Sequence, residues 1–255
     1  RTGGEAMAIA VRIARAKTRR NIVAFCGYHG WHDWCIGTTS RDGGVPEATK
    51  SLSHKFPYND LKAVENLLDK FPNQFAAIIL EPMNRYWPKP NYFNELKKIV
   101  HAHGALLIFD EVITGFRLGF TGASGYYGII PDIVTFGKII GGGLPVGAYA
   151  SSNKIMNNIS PDGNVYQAGT LSGNPIAMAA GKAQLEKCLI SGFYDDLNSN
   201  AAHFVGIIND HINKKGYAAG IVSIGSVFWL TFSKDKINRA DEIDPAGMEQ
   251  FEVLY

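Results

Sequence analysis

Two stretches decide the fold: ALLIFD at residues 105–110 and IVTFGK at residues 133–138. Each is a short, unbroken apolar run, 105–109 and 133–136, that ends at a charge. The first stops directly at Asp110; the second stops at Gly137 and Lys138. Unbroken apolar runs of this length are what strands buried on both faces require, as in a parallel sheet covered by helices. The neighbouring sequence follows the same scheme. Residues 21–25, 76–80 (closed by Glu81 and Pro82) and 146–150 read as strands. Residues 5–16, 61–70, 92–103, 175–188 and 195–214 have helical spacing, with Gly104 placed to cap the third of these. Residues 221–232 have strand character with a break at Gly225, and the Pro- and Gly-containing segments 37–46 and 84–90 read as loops. Alternating strands and helices predict an α/β domain with a mainly parallel sheet. In such sheets ligands gather beyond the carboxyl ends of the strands, so the polar residues at strand ends are the candidates for chemistry.

The 255 residues are 46% hydrophobic and 19% charged, which supplies a sizeable core and excludes a disordered chain. Lys plus Arg number 25 against 23 Asp plus Glu, a formal charge of +2. That balance gives no general attraction to nucleic acid or to an anionic membrane. The one cationic cluster, Lys17, Arg19 and Arg20, stands where a helix should end and reads as a solvated C-terminus. Three cysteines with no CxxC pair point away from a disulfide framework and toward a cytoplasmic location. No run of about 18 apolar residues suggests a membrane span, and no signal peptide is visible. The chain starts at Arg1, on a glycine turn entering a helix, and stops at Tyr255 inside an apolar run, so a piece of a longer protein is expected. Composition shifts after Gly216. The expected division is a large domain over 1–215 and the start of a smaller C-terminal one over 216–255.

Taken alone, Asp110 and Lys138 form either a structural ion pair or the two walls of a cleft. Gly141, Gly142 and Gly143 follow the lysine and would let backbone approach a ligand. A lysine in a partly desolvated pocket can serve as a Schiff-base nucleophile and proton shuttle, and a carboxylate facing it can keep a ring nitrogen protonated. Pyridoxal phosphate chemistry needs that pairing. Thr2, Gly3, Gly4 and Glu5 form either a phosphate-binding helix entrance or a plain N-cap. Tyr28 at a strand end could stack on an aromatic ligand or be an ordinary half-buried ring. Residues 167–175 lead into a helix with Pro175 at its first position, either as a second phosphate contact or as a loop and cap. His29 and His32 lack acidic or cysteine partners at ligand spacing, and His101 and His103 face different directions, so no metal is expected. No Walker loop, GxGxxG fingerprint or GxSxG elbow is present. The SxxK match at Ser151 to Lys154 lacks the other elements of its site.

Read together, RTGGEAMAIAVRIARA, GYHGWHDW, LIFDEVITGFR, YYGIIPDIVTFGKIIGGGLPVGAYA and YQAGTLSGNPIAMAAG resemble the class III pyridoxal-phosphate aminotransferases, in that family's order, over most of residues 1 to 190. The glutamate-1-semialdehyde aminomutase branch is the nearest in appearance. The resemblance implies the fold-type-I large domain, with a mainly parallel seven-stranded sheet and part of a small α+β domain. It implies pyridoxal 5'-phosphate as cofactor, a small-molecule amino donor and carbonyl acceptor as substrates, and a homodimer. By position, Lys138 would hold the cofactor as a Schiff base and act as general acid and base, and Asp110 would pair with the pyridinium nitrogen. Thr2, Gly3 and Gly4 would cradle the phosphate, and Tyr28 would stack on the ring with His29 beside it. Glu81 would lie near the cofactor, Asn84 would approach the ring hydroxyl, and Thr170 would reach the phosphate of the neighbouring subunit. Glu111 and Arg117 would be structural.

Two departures stand out. The phosphate turn reads RTGGEA where the family pattern is closer to NSGTEA, so Gly4 replaces a hydroxyl. After the Glu81-Pro82 pair the aminomutases continue with small residues, whereas here Met83, Asn84, Arg85, Tyr86 and Trp87 are bulky. Arg85 is either a contact for a substrate anion or a surface residue. The expected activity is a transaminase working through a pyridoxamine intermediate. The alternatives are an aminomutase making 5-aminolevulinate and a catalytically silent cofactor-binding or dimer-forming module.

Overall fold

Along the central strands, successive residues go to opposite faces, and both faces are apolar. Ile78 and Leu80 join Leu107 and Phe109 on one side, while Ala77 and Ile79 join Ile108 and Ile133 on the other. This two-sided burial forces helices onto both faces of the sheet. The computed structural model describes residues 2–83 and 87–233, together with residues 247 and 249. In chain order it has α1 (Gly3–Thr18), β1 (Ile22–Cys26), α2 (Asp33–Ile36), α3 (Glu47–Lys50), β2 (Ser53–Lys55), α4 (Leu61–Lys70), β3 (Phe75–Leu80), α5 (Tyr92–Ala102) and β4 (Leu106–Asp110). There follow α6 (Gly122–Tyr127), β5 (Ile133–Phe136), a 3-10 turn (Lys138–Gly141), β6 (Ala148–Ser151), α7 (Asn153–Met156), α8 (Pro175–Cys188), α9 (Phe193–Lys215), β7 (Gly220–Ile224) and β8 (Val227–Thr231).

The main sheet has the order β2-β1-β3-β4-β5-β6. All pairs are parallel except β5–β6. α1 lies on one face through Met7, Ala10, Val11 and Ala14, and α4 and α5 lie on the other through Val64, Leu68, Leu96 and Val100. Burying one such Leu or Val side chain stabilises the fold by about 1.5–3 kcal/mol. The α/β architecture expected from the sequence is therefore present, with two adjustments. The sheet shows six strands among the described residues, against the seven the resemblance implies. One of the six, β2, is the three-residue Ser53-His54-Lys55 segment, whose polar residues give no strand periodicity; it pairs with β1 because Val23, Ala24 and Phe25 offer it an edge. The strand expected over 146–150 is the shorter β6, which pairs antiparallel with β5 after the 3-10 turn of Lys138–Gly141.

After α9 the chain turns at Gly216 and forms a separate two-stranded sheet, β7–β8, instead of joining the main one. The break at Gly225 is the hairpin turn of that pair. The hairpin docks through Ile224 against Met83, Leu118 and Ala123, and the Ser226 hydroxyl donates to the Arg117 carbonyl at 3.0 Å.

Candidate functional site

Parallel strands put their carboxyl ends on one edge, and the sequence-predicted residues gather there. Asp110 is the last residue of β4 and registers with Thr135 of β5, so Lys138 emerges three residues beyond the same rung. The Glu111 amide donates to the Thr135 carbonyl at 2.9 Å, which ties the two strand ends together. Glu81 follows β3 directly, and Gly27, Tyr28 and His29 follow β1. The start of α1 closes the group. Val112 packs so tightly on Gly3 that a Cβ there would lie 2.6 Å from it. Gly137 comes within 3.3 Å of Gly3 Cα by the same measure, and Gly30 within 2.8 Å of Gly4 Cα. Gly30 also holds φ +103, so neither its conformation nor its space admits a side chain.

Asp110 is buried, and both its oxygens are engaged. Oδ2 lies 2.7 Å from His29 Nδ1, and Oδ1 accepts from the Val112 amide at 3.0 Å. His29 is 2% exposed, with Nε2 3.1 Å from the Cys26 carbonyl, and its ring lies between Phe25 and Trp34. Burial pushes the His29 pKa down, but the bond and charge of Asp110 outweigh it, with help from Glu81 and the Cys26 carbonyl, and the net shift is upward. Burial, then the charge of Glu81, pushes the Cys26 thiol up to about 12, which removes it as a nucleophile near neutral pH.

Lys138 is exposed, which differs from the desolvated lysine of the sequence expectation, and it sits at φ +48. A left-handed conformation is costly for a residue with a side chain, and such strain concentrates at functional sites. Tyr28 is 60% exposed at the rim. Thr2 is the N-cap of α1 and forms a full capping box. The Glu5 amide donates to Thr2 Oγ1 at 3.2 Å and the Thr2 amide donates to Glu5 Oε2 at 2.8 Å. Thr2 thus caps the helix, and the Gly3 and Gly4 amides have no acceptor among the described residues. His32 Nδ1, beside Gly4, is a buried polar atom without a hydrogen-bond partner.

Three further residues singled out in the sequence remain. Thr170 is exposed and lines a cavity of about 630 Å³ with Glu5, Arg12, His32 and Tyr166, beside α1. Asn84 lies outside the described residues, as do Arg85 and Tyr86. Glu111 faces away from the site and accepts from the Ala123 and Ser124 amides at 2.6 and 2.9 Å, capping α6. Sequence reading gives the Val112 amide no role, because a backbone donor leaves no trace in residue type. It singles out His32 only as a metal-ligand type, because the contact with Gly4, 28 residues away, is made by folding. Among the described residues no group of three or more His, Cys, Asp or Glu side chains is placed to hold a metal.

Together these groups offer helix-end amides for an anion, a fixed buried carboxylate paired with a histidine, an exposed amine on a strained turn and an aromatic rim. Known proteins share this chain's sequence and fold. The family model for class-III aminotransferases matches residues 1–243. A glutamate-1-semialdehyde 2,1-aminomutase 2 of Brevibacillus brevis is 40% identical over 269 aligned residues, which cover all of this chain and 63% of that protein. The crystal structure of an omega-transaminase from Sphaerobacter thermophilus superposes with a TM-score of 0.83 at 31% identity, over 92% of this chain and 58% of that one. A transaminase with PLP bound superposes at 0.82 with 26% identity, over 90% of this chain and 57% of the other. The chain thus spans less than two thirds of the length of these relatives.

Proposed function

The chain belongs to the class III aminotransferases, and from that premise we propose that the protein is a pyridoxal-phosphate-dependent transaminase, moving an amino group between a small-molecule amino donor and a carbonyl acceptor. The observation that carries the reading is the convergence of Asp110, the turn that begins at Lys138 and the open amides of Gly3 and Gly4 on one edge of the sheet. These residues fit the cofactor. Two unpartnered amides at the positive end of a 16-residue helix, beside the orphaned His32 Nδ1, suit a phosphate. The buried Asp110 carboxylate suits a protonated ring nitrogen, and the exposed Tyr28 ring suits the face of a heterocycle. When bound, pyridoxal phosphate supplies the electron sink that stabilises a carbanion at the substrate Cα.

In this reading Lys138 Nζ tethers the cofactor and carries the transferred proton, while Asp110 holds the ring nitrogen's proton in place. Removing a preorganised charge in a water-poor site costs about 3–4 kcal/mol of transition-state stabilisation. The test uses the full-length protein with pyridoxal phosphate. A visible absorbance band that borohydride abolishes, present in the wild type and absent in Lys138→Ala, supports the enzyme; no band in either supports the silent module. A second reading is favoured by the 40% identity to a protein named as an aminomutase. Incubation with glutamate-1-semialdehyde separates the two: rapid formation of 5-aminolevulinate identifies the mutase, and its absence with turnover of separate donor and acceptor identifies the transaminase.

We further assign residues 1–215 to the large domain and 216–255 to the start of the small one, supported by the separate β7–β8 sheet. The functional unit in this reading is a homodimer with Thr170 reaching the neighbouring site. Support comes from Thr170 itself and from Tyr166, Leu171, Ile176 and Met178, large apolar side chains left exposed nearby. A cytoplasmic location rests on three free cysteines and on the absence, among the described residues, of any helix long and apolar enough to cross a membrane.

A further inference from the structure

The helix entrance carries Gly4 where the family pattern NSGTEA places a hydroxyl, so one donor is absent from the turn. The space beside Gly4 is filled from another part of the chain. A Cβ built on Gly4 would lie 3.3 Å from His32 Nδ1 and 3.5 Å from its Cε1, so the imidazole stands where a side chain at position 4 would grow. His32 belongs to the loop after β1, and Gly30 permits the approach, since a Cβ there would lie 2.8 Å from Gly4 Cα. Trp31 stacks on the imidazole with centroids 4.9 Å apart and planes 21° from parallel, which restrains the ring.

No structural task explains this nitrogen. His32 is the N-cap residue of α2, yet its side chain makes no cap bond; the Cys35 and Ile36 amides donate to its carbonyl instead. Among the described residues the histidines paired with carboxylates are His29, His101 and His103, and no metal-binding group is present. Nδ1 is nonetheless buried, and a buried polar atom without a partner carries a cost that a ligand would remove. We propose that His32 binds the cofactor phosphate in place of the missing hydroxyl, with its Nδ1–H completing the donor set begun by the open Gly3 and Gly4 amides. With its proton on Nδ1 the imidazole donates one hydrogen bond, and a bond to a phosphate oxygen is of the strong, charge-assisted kind. A side chain at position 4 and an imidazole at position 32 compete for one space, so the two positions act as an exchange pair.

The inference rests on the function proposed above, and the test keeps the two apart. Affinities of the full-length protein for pyridoxal phosphate and for pyridoxal, which has the same ring and aldehyde but no phosphate, are measured by absorbance. His32→Ala should weaken pyridoxal phosphate about tenfold, the scale of one charge-assisted hydrogen bond, and leave pyridoxal unchanged. Equal losses for both compounds, or no loss for either, overturn the proposal. Gly4→Ser should recover the lost affinity in the His32→Ala background and add nothing in the wild type, where the new Cβ meets the ring at 3.3 Å. An equal gain in both backgrounds, or none in either, overturns the exchange. Should His32→Ala fail to fold, the wild type decides. In cofactor-free, histidine-15N-labelled protein, inorganic phosphate should shift the ring nitrogen signals of His32, assigned through its contact with Trp31; signals that stay in place overturn the proposal. A wild type that takes up neither pyridoxal compound overturns the functional reading, and the response to inorganic phosphate then decides the His32 contact by itself.

Discussion

Glu111→Gln is expected to destabilise the protein strongly, although it changes one atom type on a residue that touches no ligand. The Glu111 side chain is 1% exposed, and every group it meets is a donor: the Ala123 amide at 2.6 Å and Thr114 Oγ1 at 3.1 Å on Oε2, and the Ser124 amide at 2.9 Å and the Ser124 hydroxyl on Oε1. A glutamine offers one oxygen and one NH2. Either way it is turned, a buried backbone N–H faces another N–H. The hydroxyl on that side can rotate to accept, but the amide cannot. One buried donor left unsatisfied costs about 1–3 kcal/mol, and the two bonds that remain lose the strengthening of a full charge, about 1 kcal/mol each. The sum is about 3–5 kcal/mol, a large share of the 5–15 kcal/mol typical of a whole protein. At about 2–4 °C per kcal/mol for a chain of this size, Tm should fall by about 10 °C. Gly122→Ala offers an independent check, because Gly122 sits at φ +63 and a Cβ there would lie 2.2 Å from Glu111 Oε2. Both substitutions break the same cap, so the double variant should be little worse than the more damaging single one. Urea and thermal melts decide the matter. A Glu111→Gln shift under about 2 °C, or full additivity with Gly122→Ala, refutes the reasoning. Because Glu111 directly follows Asp110, the cap also steadies the backbone that presents the site.

Three further outcomes are expected. Gly181→Ala puts a Cβ 2.3 Å from the Ile140 carbonyl. It should push α8 off the turn that begins at Lys138 at a cost of about 1–3 kcal/mol, with weaker pyridoxal phosphate uptake, checked by melts and absorbance titration. Thr2→Ala removes the capping-box acceptor for the Glu5 amide and should cost about 1 kcal/mol, measured by urea denaturation. The third outcome concerns pH. His29 binds its proton more tightly when folded than at its ordinary pKa of 6.5. Below 6.5 both states are protonated and its stabilisation is fully present. As pH rises from 6.5 through the higher folded-state value, the unfolded chain loses the proton first and the contribution declines. The stability difference between wild type and His29→Asn should therefore shrink with rising pH over that window, by up to about 1.4 kcal/mol per unit. A difference that grows instead would contradict the assignment.

Some of this protein was settled by residue order alone. The apolar runs that end at Asp110 and at Lys138 are buried strands because nothing but a two-sided core accommodates them, and α4 and α8 fall on the residues their periodicity marks. Residue type also marked the lysine and the carboxylate as candidates, since their chemistry would be carried by the side chains themselves. What order could not supply is contact across the chain. The polar β2 strand exists because β1 offers it an edge, and the antiparallel pairing of β6 with β5 is likewise a contact across the chain. His29 stands 81 residues from Asp110, so only folding brings them within 2.7 Å. The same holds for Thr2, whose hydroxyl turns out to cap its own helix, and for Glu111, which turns away to cap α6 while its neighbour Asp110 faces the site. Hydrogen bonding depends on which atoms meet at about 3 Å, and that is decided by packing, not by sequence spacing.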